Sequence, residues 1–528
     1  MQRVQLETAV EKMPYACHLR SVFIKKLKEF VRSDCWTFTT YFTEGFPFTV
    51  TRTVVPMFLR VMNVPLESIG LTSLYGLPWV LKFLWSPQID ESATKRVWLL
   101  CMQFLIVAMM FLAAIFAPLS FGVQAIAVMF FVVAVVSATH DIAIDGYYMA
   151  ALDREAQAKY VGLRVMAYRI AMMAATGIVA TIGTALSWTL AFAAAGVVMG
   201  LFFVYHFFYL REVETYGKTF KEMFAEFLRL KRLAGLALLA LAVAGLRYFV
   251  GSHYYVSAQD YLPLLKSISF AHWVGIMLLV ALILVAALRN KIKARLFRNP
   301  DSNYGKAFLA FVDRDKIGVI LSFVILLRVG DWMLSAMVSP FFVDVGIKIH
   351  YGWLTSLVGL PASIIGGMAG GWAIYKFGLR KVIWPFILAQ NLTLLFYMFL
   401  AFYLSNYISI NTGAASPMGV GAVNLFLIGC TMCFEQFAAG LGTAVLMTYL
   451  MRLCIPEYKA THYAIGSGLM SLSGMFTGVA SGFLAGWLGY GWTFGMSFLA
   501  SVPAMVLIPF LPYLDTGKRA SQIAGKAA

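Results

Sequence analysis

The chain has 528 residues, of which 61% are hydrophobic and only 13% are charged. Soluble domains contain roughly 45–50% apolar and about 25% charged residues, so this composition excludes an ordinary soluble protein and predicts an all-α membrane protein. The formal net charge of +17 comes from Lys and Arg gathered in short loops between apolar runs, as expected for membrane topology. The charge is therefore no argument for nucleic-acid binding.

Apolar runs of about 20 residues predict fourteen membrane spans. In chain order, spans 1 to 14 are 36–61, 66–86, 97–117, 121–150, 160–185, 188–209, 234–256, 270–288, 316–343, 351–374, 382–404, 419–451, 461–487 and 490–513. Alternate loops are rich in Lys and Arg, which places those loops and both termini in the cytoplasm. The charged leader carries no cleavable signal peptide pattern.

An octapeptide occurs twice with one change, as LTSLYGLP at Leu71–Pro78 and LTSLVGLP at Leu354–Pro361. The repeat predicts two related halves that face each other, an arrangement typical of secondary transporters. The predicted domains are a cytoplasmic leader (1–35), an amino-terminal six-helix bundle (36–209), a central linker with two extra spans (210–315), a carboxy-terminal six-helix bundle (316–513) and a cytoplasmic tail (514–528).

Four motifs carry a family resemblance. They are KFLWSPQID from Lys82, HDIAIDGYY from His140, AYRIAMM from Ala167 and YKFGLRK from Tyr375. The last is similar to the cytoplasmic loop signature of the major facilitator superfamily. The first three together resemble the AmpG muropeptide permease and acetyl-CoA transporter family, including an inserted helix pair between two six-helix bundles. The family's Asp-Arg after the second span is Asp90-Glu91 here, and its usual Gln is His140.

Charged residues within the spans are the main candidates for function, since each is costly in the bilayer unless paired or hydrated. The resemblance implies that spans 1, 4, 9 and 12 line a central cavity. The proton-coupling candidates on these spans are Glu44, Asp141, Glu435 and His140. His140 could relay protons or be a satisfied structural histidine.

Asp141 and Asp145 lie four residues apart on one face of span 4, where two ionised carboxylates repel each other. Arg164 and Arg169 on span 5 are the expected partners. The cluster is either a salt-bridged lock between spans 4 and 5 or a coupling site. Asp145 is closer to the cytoplasmic end and is the better lock, which leaves Asp141 for coupling.

Matching Pro56 to Pro340 places Glu44 and Arg328 at equivalent positions, so we expect an acid and a base to face each other across the cavity. Arg328 and Asp331 are three residues apart and could instead pair with each other. In that case Glu44 is left free to bind a proton.

The remaining candidates concern substrate binding and gating. Arginines suit carboxylate or phosphate groups of an anionic solute, and aromatic side chains could stack on a ring or serve only in packing. The substrate candidates are Arg52, Arg164, Arg169, Arg328, Asp331, Tyr147, Trp79 and Trp332. The candidates for gating or for a lock between helices are Asp90, Asp145, Lys376, Arg380 and Lys381.

Glycine and proline positions predict where helices touch and bend. Gly474, Gly478, Gly482 and Gly486 recur every four residues in span 13, a ladder that lets a neighbouring backbone come close. Pro78 and Pro361, at the same place in the octapeptide, are expected to interrupt their helices.

No phosphate-binding loop, HExxH motif or supported Ser-His-Asp arrangement is found, so we expect no enzyme activity, no cofactor and no metal, and any pumping must use an ion gradient. The predicted function is proton-coupled import of an anionic organic solute by alternating access. The resemblance favours a muropeptide, and a siderophore, a peptide or acetyl-CoA are alternatives, as is a non-transporting scaffold or sensor. The expected partners are the solute, protons and lipid, for a monomer in the bacterial inner membrane.

Overall fold

The structure of the protein is a computed structural model. The structure describes residues 35–82, 85–86, 89, 93–152, 154–214, 245, 248–262, 265, 268, 272–273, 276, 311, 314–408, 419–454 and 459–514. Within these ranges every regular element is a helix. This confirms the predicted all-α class.

The amino-terminal half contains spans 1 to 6. Span 1 runs through 35–49, a π-helical turn at Val50–Val54 and an α-helix at Val55–Val61, and span 2 runs through Leu66–Leu71, a 3-10 helix at Thr72–Gly76 and Leu77–Leu81. Spans 3 and 4 are Lys95–Phe116 and Gly122–Ala151. Span 5 is Arg154–Ala174, a π-helical turn at Ala175–Ala180 and Thr181–Ala185, and span 6 is Trp188–Tyr209.

The carboxy-terminal half contains spans 9 to 14. Span 9 is Ile317–Leu326 and Val329–Val345, and span 10 is Lys348–Trp353, a π-helical turn at Leu354–Gly359 and Leu360–Phe377. Spans 11 and 12 are Leu379–Tyr403 and Ala422–Leu453. Spans 13 and 14 lie within Lys459–Leu507 and are separated by a break at Gly489, whose φ of 76° and ψ of 170° are not helical, and a 3-10 helix follows at Ile508–Phe510.

Among the described residues, nine helical segments are long and apolar enough to cross a membrane. Their outward faces carry exposed apolar side chains such as Val128 at 70% and Leu201 at 67% exposure, which suits contact with lipid. Twelve of the fourteen predicted spans coincide with helices. Most of spans 7 and 8 lies outside the described residues, where the structure gives only a helix at His253–Tyr261, so the count of fourteen stays a prediction.

The repeated octapeptide departs from α-helical geometry in both halves. Pro78 and Pro361 each lie in the first turn of a new α-helix, where a residue without an N–H group is tolerated. The turn before Pro78 is a 3-10 helix and the turn before Pro361 is a π-helix. The predicted interruption is present in both helices, but its form differs between the halves.

Each half has aromatic contacts of its own. In the amino-terminal half, the rings of Phe58 and Phe192 are 5.5 Å apart in an edge-to-face arrangement. In the carboxy-terminal half, Phe341 and Phe494 meet in the same way at 5.5 Å. Such contacts add to apolar burial and hold the helices of each half together, and both pairs of rings belong to one apolar core that extends across the two halves.

Candidate functional site

The two halves are joined by an ion pair at one end of the bundle, which we name the outer end after the predicted topology. Arg60 at the end of span 1 donates two hydrogen bonds to Asp344 at the end of span 9, with Nε to Oδ1 at 2.7 Å and Nη2 to Oδ2 at 2.5 Å. The hydroxyl of Tyr490 donates to Asp344 Oδ2 at 2.7 Å. We call these three residues the outer latch.

Small residues bring helices of opposite halves close together beside the outer latch. A Cβ atom at Gly482 in span 13 would lie 2.7 Å from the Cα of Gly70 in span 2. Gly352 in span 10 meets span 5, since its Cβ would lie 2.2 Å from Thr181 Oγ1. The glycine ladder of span 13 therefore packs as predicted, and much of it faces the other half. These contacts close the outer end.

A cavity of about 430 Å³ lies between the halves on the inner side of this closure. Its walls come from the inner part of span 5 and from spans 10 and 12, and its lining includes Arg169, Met173, Ser363, Gly440 and Thr443. One closed end beside a cavity between the halves is the arrangement expected of one state of an alternating-access protein.

Three charged residues form a cluster in the amino-terminal half. Lys82 Nζ lies 2.5 Å from Asp141 Oδ2, with 33% and 7% of the two side chains exposed. Glu44 interacts with both of them. Its Oε2 atom is buried and has no hydrogen-bond partner in the described part of the chain. Two acids thus share one base, and Glu44 is the acid without a base of its own.

Asp145 belongs to a separate lock near the inner end of span 4. Its Oδ1 atom accepts hydrogen bonds from Arg164 Nη2 and from the hydroxyl of Tyr41, both at 2.7 Å. The guanidinium of Arg164 also lies over the rings of Tyr41 and Tyr148, at 4.1 and 4.5 Å from their centroids, which adds cation–π attraction. Arg164 is therefore held by protein groups.

Arg328, Asp331 and Glu435 form a carboxy-terminal cluster. Arg328 Nη2 makes a short contact to Asp331 Oδ2, three residues on in the same helix, and its Nη1 donates to Thr443 Oγ1 at 2.7 Å. Glu435 accepts a hydrogen bond from Gln436 at 2.9 Å and interacts with Asp331 and Arg328. Arg328 pairs along its own helix, and the expected facing pair of Glu44 and Arg328 is replaced by these two clusters.

Two further arginine candidates lie between the clusters. Arg52 Nη1 donates to the carbonyl oxygen of Ser73 at 2.6 Å. Arg169 lines the cavity, and the acceptor found for its Nη1 is the sulfur of Met172 at 3.9 Å. Arg169 therefore does not complete the predicted pairing with Asp141, because Lys82 takes that place.

The aromatic candidates have different surroundings. Trp79 meets Phe48 edge to face at 5.0 Å. Trp332 packs against the backbone at Gly474, and its Nε1 is buried without a partner in the described residues. Tyr147 is 3% exposed and donates to the carbonyl of Arg211 at 3.0 Å, a packing contact at the inner end.

His140 points into the amino-terminal bundle. It is fully buried, and neither ring nitrogen has a partner within the described ranges. It lies near His206, which is held by Gln103 at 2.7 Å and Thr39 at 2.9 Å. The contacts of His140 within the described ranges therefore do not match a satisfied structural histidine, and its role as a proton relay stays a prediction.

The gating candidates lie at the inner end of the bundle or outside the residues that the structure describes. Asp90 is outside the described residues. Arg380 and Lys381 are exposed, and Lys376 lies over the ring of Trp372 at 4.9 Å. Across the described ranges, no group of three or more His, Cys, Asp and Glu side chains could hold a metal ion.

Sequence reasoning did not select Lys82 or the outer latch as functional sites. Lys82 is 59 positions from Asp141, and spacing along one helix does not say which other helix faces it. The latch did leave a signal, because Arg60 lies four residues after Pro56 and Asp344 lies four residues after Pro340. Opposite charges at equivalent places in a repeat indicate contact across the axis that relates the halves.

Comparisons with known proteins agree with this architecture. The chain is similar to the anhydromuropeptide permease of Escherichia coli (strain K12), at 22% identity over 88% of this chain and 77% of the permease. It is also similar to a Rickettsia felis protein whose name places it with AmpG transporters, at 32% identity over 39% of this chain and 45% of that protein. These relatives confirm the predicted AmpG resemblance, and their names support a transporter rather than an enzyme.

A solved peptide transporter named POT, in complex with sulfate, shares the fold. Its TM-score is 0.59 at 15% sequence identity, with 90% of this chain and 94% of that chain covered. The family model described as Major Facilitator Superfamily matches residues 37–302, about half of the chain. The repeated halves, the helix arrangement and this match agree, and the chain belongs to the Major Facilitator Superfamily.

Proposed function

We propose that this multi-pass membrane transporter imports an anionic organic solute together with protons, and that the solute is an anhydromuropeptide. The observation that carries the proposal is the cavity between the halves, closed at the outer end, with Arg169 in its lining, together with the acid Glu44, whose buried Oε2 atom has no hydrogen-bond partner among the described residues. A scaffold or sensor has no need of that combination. The similarity to the Escherichia coli permease supports the choice of solute.

Glu44 is the proposed proton carrier. Lys82 compensates only one of the two acids near it, and the bonded acid is Asp141. A carboxyl group at membrane depth with no base of its own is best accommodated as the neutral acid. Movement of Lys82 or arrival of solute would change that balance, which gives the proton a reason to bind and leave once in each cycle. Asp141 and Glu435 are the next candidates.

We further propose that the halves 36–209 and 316–513 rock about the central cavity in a monomer, so that the outer end opens and closes in turn. The positive-inside pattern supports placing both termini in the cytoplasm of a bacterial cell, with the protein in the inner membrane. The cavity then opens to the cytoplasm in the described state, where an imported solute is released. The Asp145–Arg164 lock stabilises the inner part of the amino-terminal bundle.

Counterflow in proteoliposomes tests the solute and the coupling. Labelled anhydromuropeptide should exchange in the wild type and accumulate when the outside is acidic. Glu44→Gln should keep exchange but lose accumulation, because solute exchange requires no net proton movement. Glu212→Gln is a matched control on an exposed side chain and should behave as the wild type.

Two results would contradict these proposals separately. Exchange of a siderophore or acetyl-CoA with no exchange of anhydromuropeptide would show that the solute is wrong. Full dependence of accumulation on the pH gradient in Glu44→Gln, Asp141→Asn and Glu435→Gln alike would show that these three acids do not couple transport to protons.

A further inference from the structure

We propose that Arg169 and Arg328, one from each half, bind a single carboxylate of the solute, and that this carboxylate displaces Asp331 from Arg328. The inference rests on the proposed transport of an anionic solute and adds which group binds, where it binds and what it replaces. The site joins the two halves through the solute itself.

One guanidinium group lines the cavity and the other is bonded to a residue of its lining. Arg169 and Thr443 line it from opposite halves, and Arg328 Nη1 is 2.7 Å from Thr443 Oγ1. The charges of the two arginines act on each other. An anion between them would therefore meet hydrogen-bond donors from span 5 and from span 9.

Arg169 lacks a counter-ion in the described part of the chain. The acceptor recorded there for its Nη1 is the Met172 sulfur at 3.9 Å, and a thioether is only a weak acceptor. A guanidinium stays charged at any physiological pH, and here it stands near another one. Two cations in a partly dehydrated space attract an anion.

Arg328 also has unused donor capacity. Its Nε atom is buried with no hydrogen-bond partner within the described residues, and the same holds for Nε1 of Trp332 in the next turn. Buried donors are normally satisfied, so these two point to an acceptor that enters from outside the protein. A carboxylate has about four lone-pair sites and can accept from several donors at once.

Asp331 occupies part of this site in the described state. Its side chain is 6% exposed and contacts Arg328 Nη2. A solute carboxylate would replace one anion on Arg328 by another and would gain Arg169 as well. Asp331 is thus an internal competitor, and it keeps Arg328 paired while the cavity is empty.

Binding to the purified protein tests the exchange. Arg169→Met and Arg328→Met should each weaken binding of anhydromuropeptide by about 10- to 100-fold, as expected for loss of a charged hydrogen bond. Asp331→Asn should strengthen binding, because it removes the competing anion. Arg169→Lys keeps the positive charge but lacks the paired N–H donors of a guanidinium. Its affinity for anhydromuropeptide should lie between those of the wild type and Arg169→Met. In the wild type, a carboxamide analogue of the solute should bind at least as weakly as the acid binds to Arg169→Met, because the amide loses its charge interaction with both arginines.

The sign of the Asp331→Asn effect separates competition from a structural role. Weaker or unchanged binding in that variant would overturn the proposal, since a purely structural bridge gives no gain when it is broken. Unchanged binding of the acid to Arg169→Met would also overturn this proposal. That result would leave the proposed transport of anhydromuropeptide intact. If acetyl-CoA, which carries phosphates and no carboxylate, bound in place of anhydromuropeptide with the same losses and the same gain, the carboxylate assignment and the muropeptide assignment would both fall.

Discussion

Lys82 and Asp141 form a pair whose two members are buried to different degrees. The lysine is 33% exposed on its side chain and the aspartate 7%. Removing one partner leaves a charge uncompensated in a mostly dehydrated place, whereas removing both leaves none. The energetic consequence therefore belongs to the pair and not to either residue.

We expect Lys82→Met and Asp141→Asn each to lower the free energy of unfolding by about 1.5–3 kcal/mol, the range for hydrogen bonds to charged groups, and nearer the lower figure because Lys82 is partly solvated. The double variant should lose less than the sum of the two. Chemical unfolding in detergent measures all three. Additive losses, within about 0.5 kcal/mol, would contradict the coupling.

For individual residues, the sequence predicted the candidate charged positions well. It predicted less well which of them pair with each other. The spacing of Arg328 and Asp331 along one helix predicted their contact, because both positions share a face. The proximity of Glu44 to Lys82 depends on how spans 1, 2 and 4 pack around one another. No periodicity in a single helix contains that information.

Among the elements, spans 2 and 13 approach each other closely across the boundary between the halves. The glycine ladder predicted a tight contact, and Gly70 supplies the matching small residue. A side chain on Gly482 would place carbon 2.7 Å from the Gly70 Cα, well inside the roughly 3.5–4.0 Å that carbon atoms prefer. Closure of the outer end therefore depends on the absence of a side chain at this crossing.

Gly482→Val should hold the outer end open and slow transport. The reporter is Ser73→Cys in a background without native cysteines, because Ser73 is buried at 7% exposure beside span 13. An impermeant maleimide added from outside should label this cysteine faster in the valine variant. Gly371→Val is the matched control, since no atom lies within 4 Å of its Cβ position. Equal labelling in the two variants would refute the role of Gly482.

The octapeptide shows the limit of element-level prediction. Its prolines predicted an interruption in spans 2 and 10, because proline removes a helix hydrogen bond. The turn before the proline is overwound in one span and underwound in the other. The local sequence is nearly identical in the two spans, so it does not determine which form appears. Packing against neighbouring helices decides between the two forms.

For the whole molecule, the repeat predicted two facing halves, and the structure has them. It could not predict which end is closed, since every state of an alternating-access protein has the same sequence. That information comes from contacts such as the outer latch, in which the Arg60 and Asp344 side chains are only 15% and 6% exposed.

Arg60→Ala and Asp344→Asn should each shift the protein toward an open outer end, by about 10- to 100-fold in the ratio of states if the pair contributes about 1.5–3 kcal/mol. The exchanged variant Arg60→Asp with Asp344→Arg should recover part of the closure. Labelling of Ser73→Cys from outside measures all three, and Glu212→Gln is the control at the inner end. An exchange that labels as fast as the single variants would show that the pair does not hold the end closed.

The latch also constrains how such a molecule can be built. Its two charged members occupy corresponding places in the two repeats, so each meets its own counterpart across the axis that relates them. In a dimer of identical half-length chains, the rule that equivalent residues meet on a two-fold axis would set arginine against arginine or aspartate against aspartate. An attractive pair at that point requires the two repeats to carry different residues there. A single polypeptide that contains both halves allows this difference.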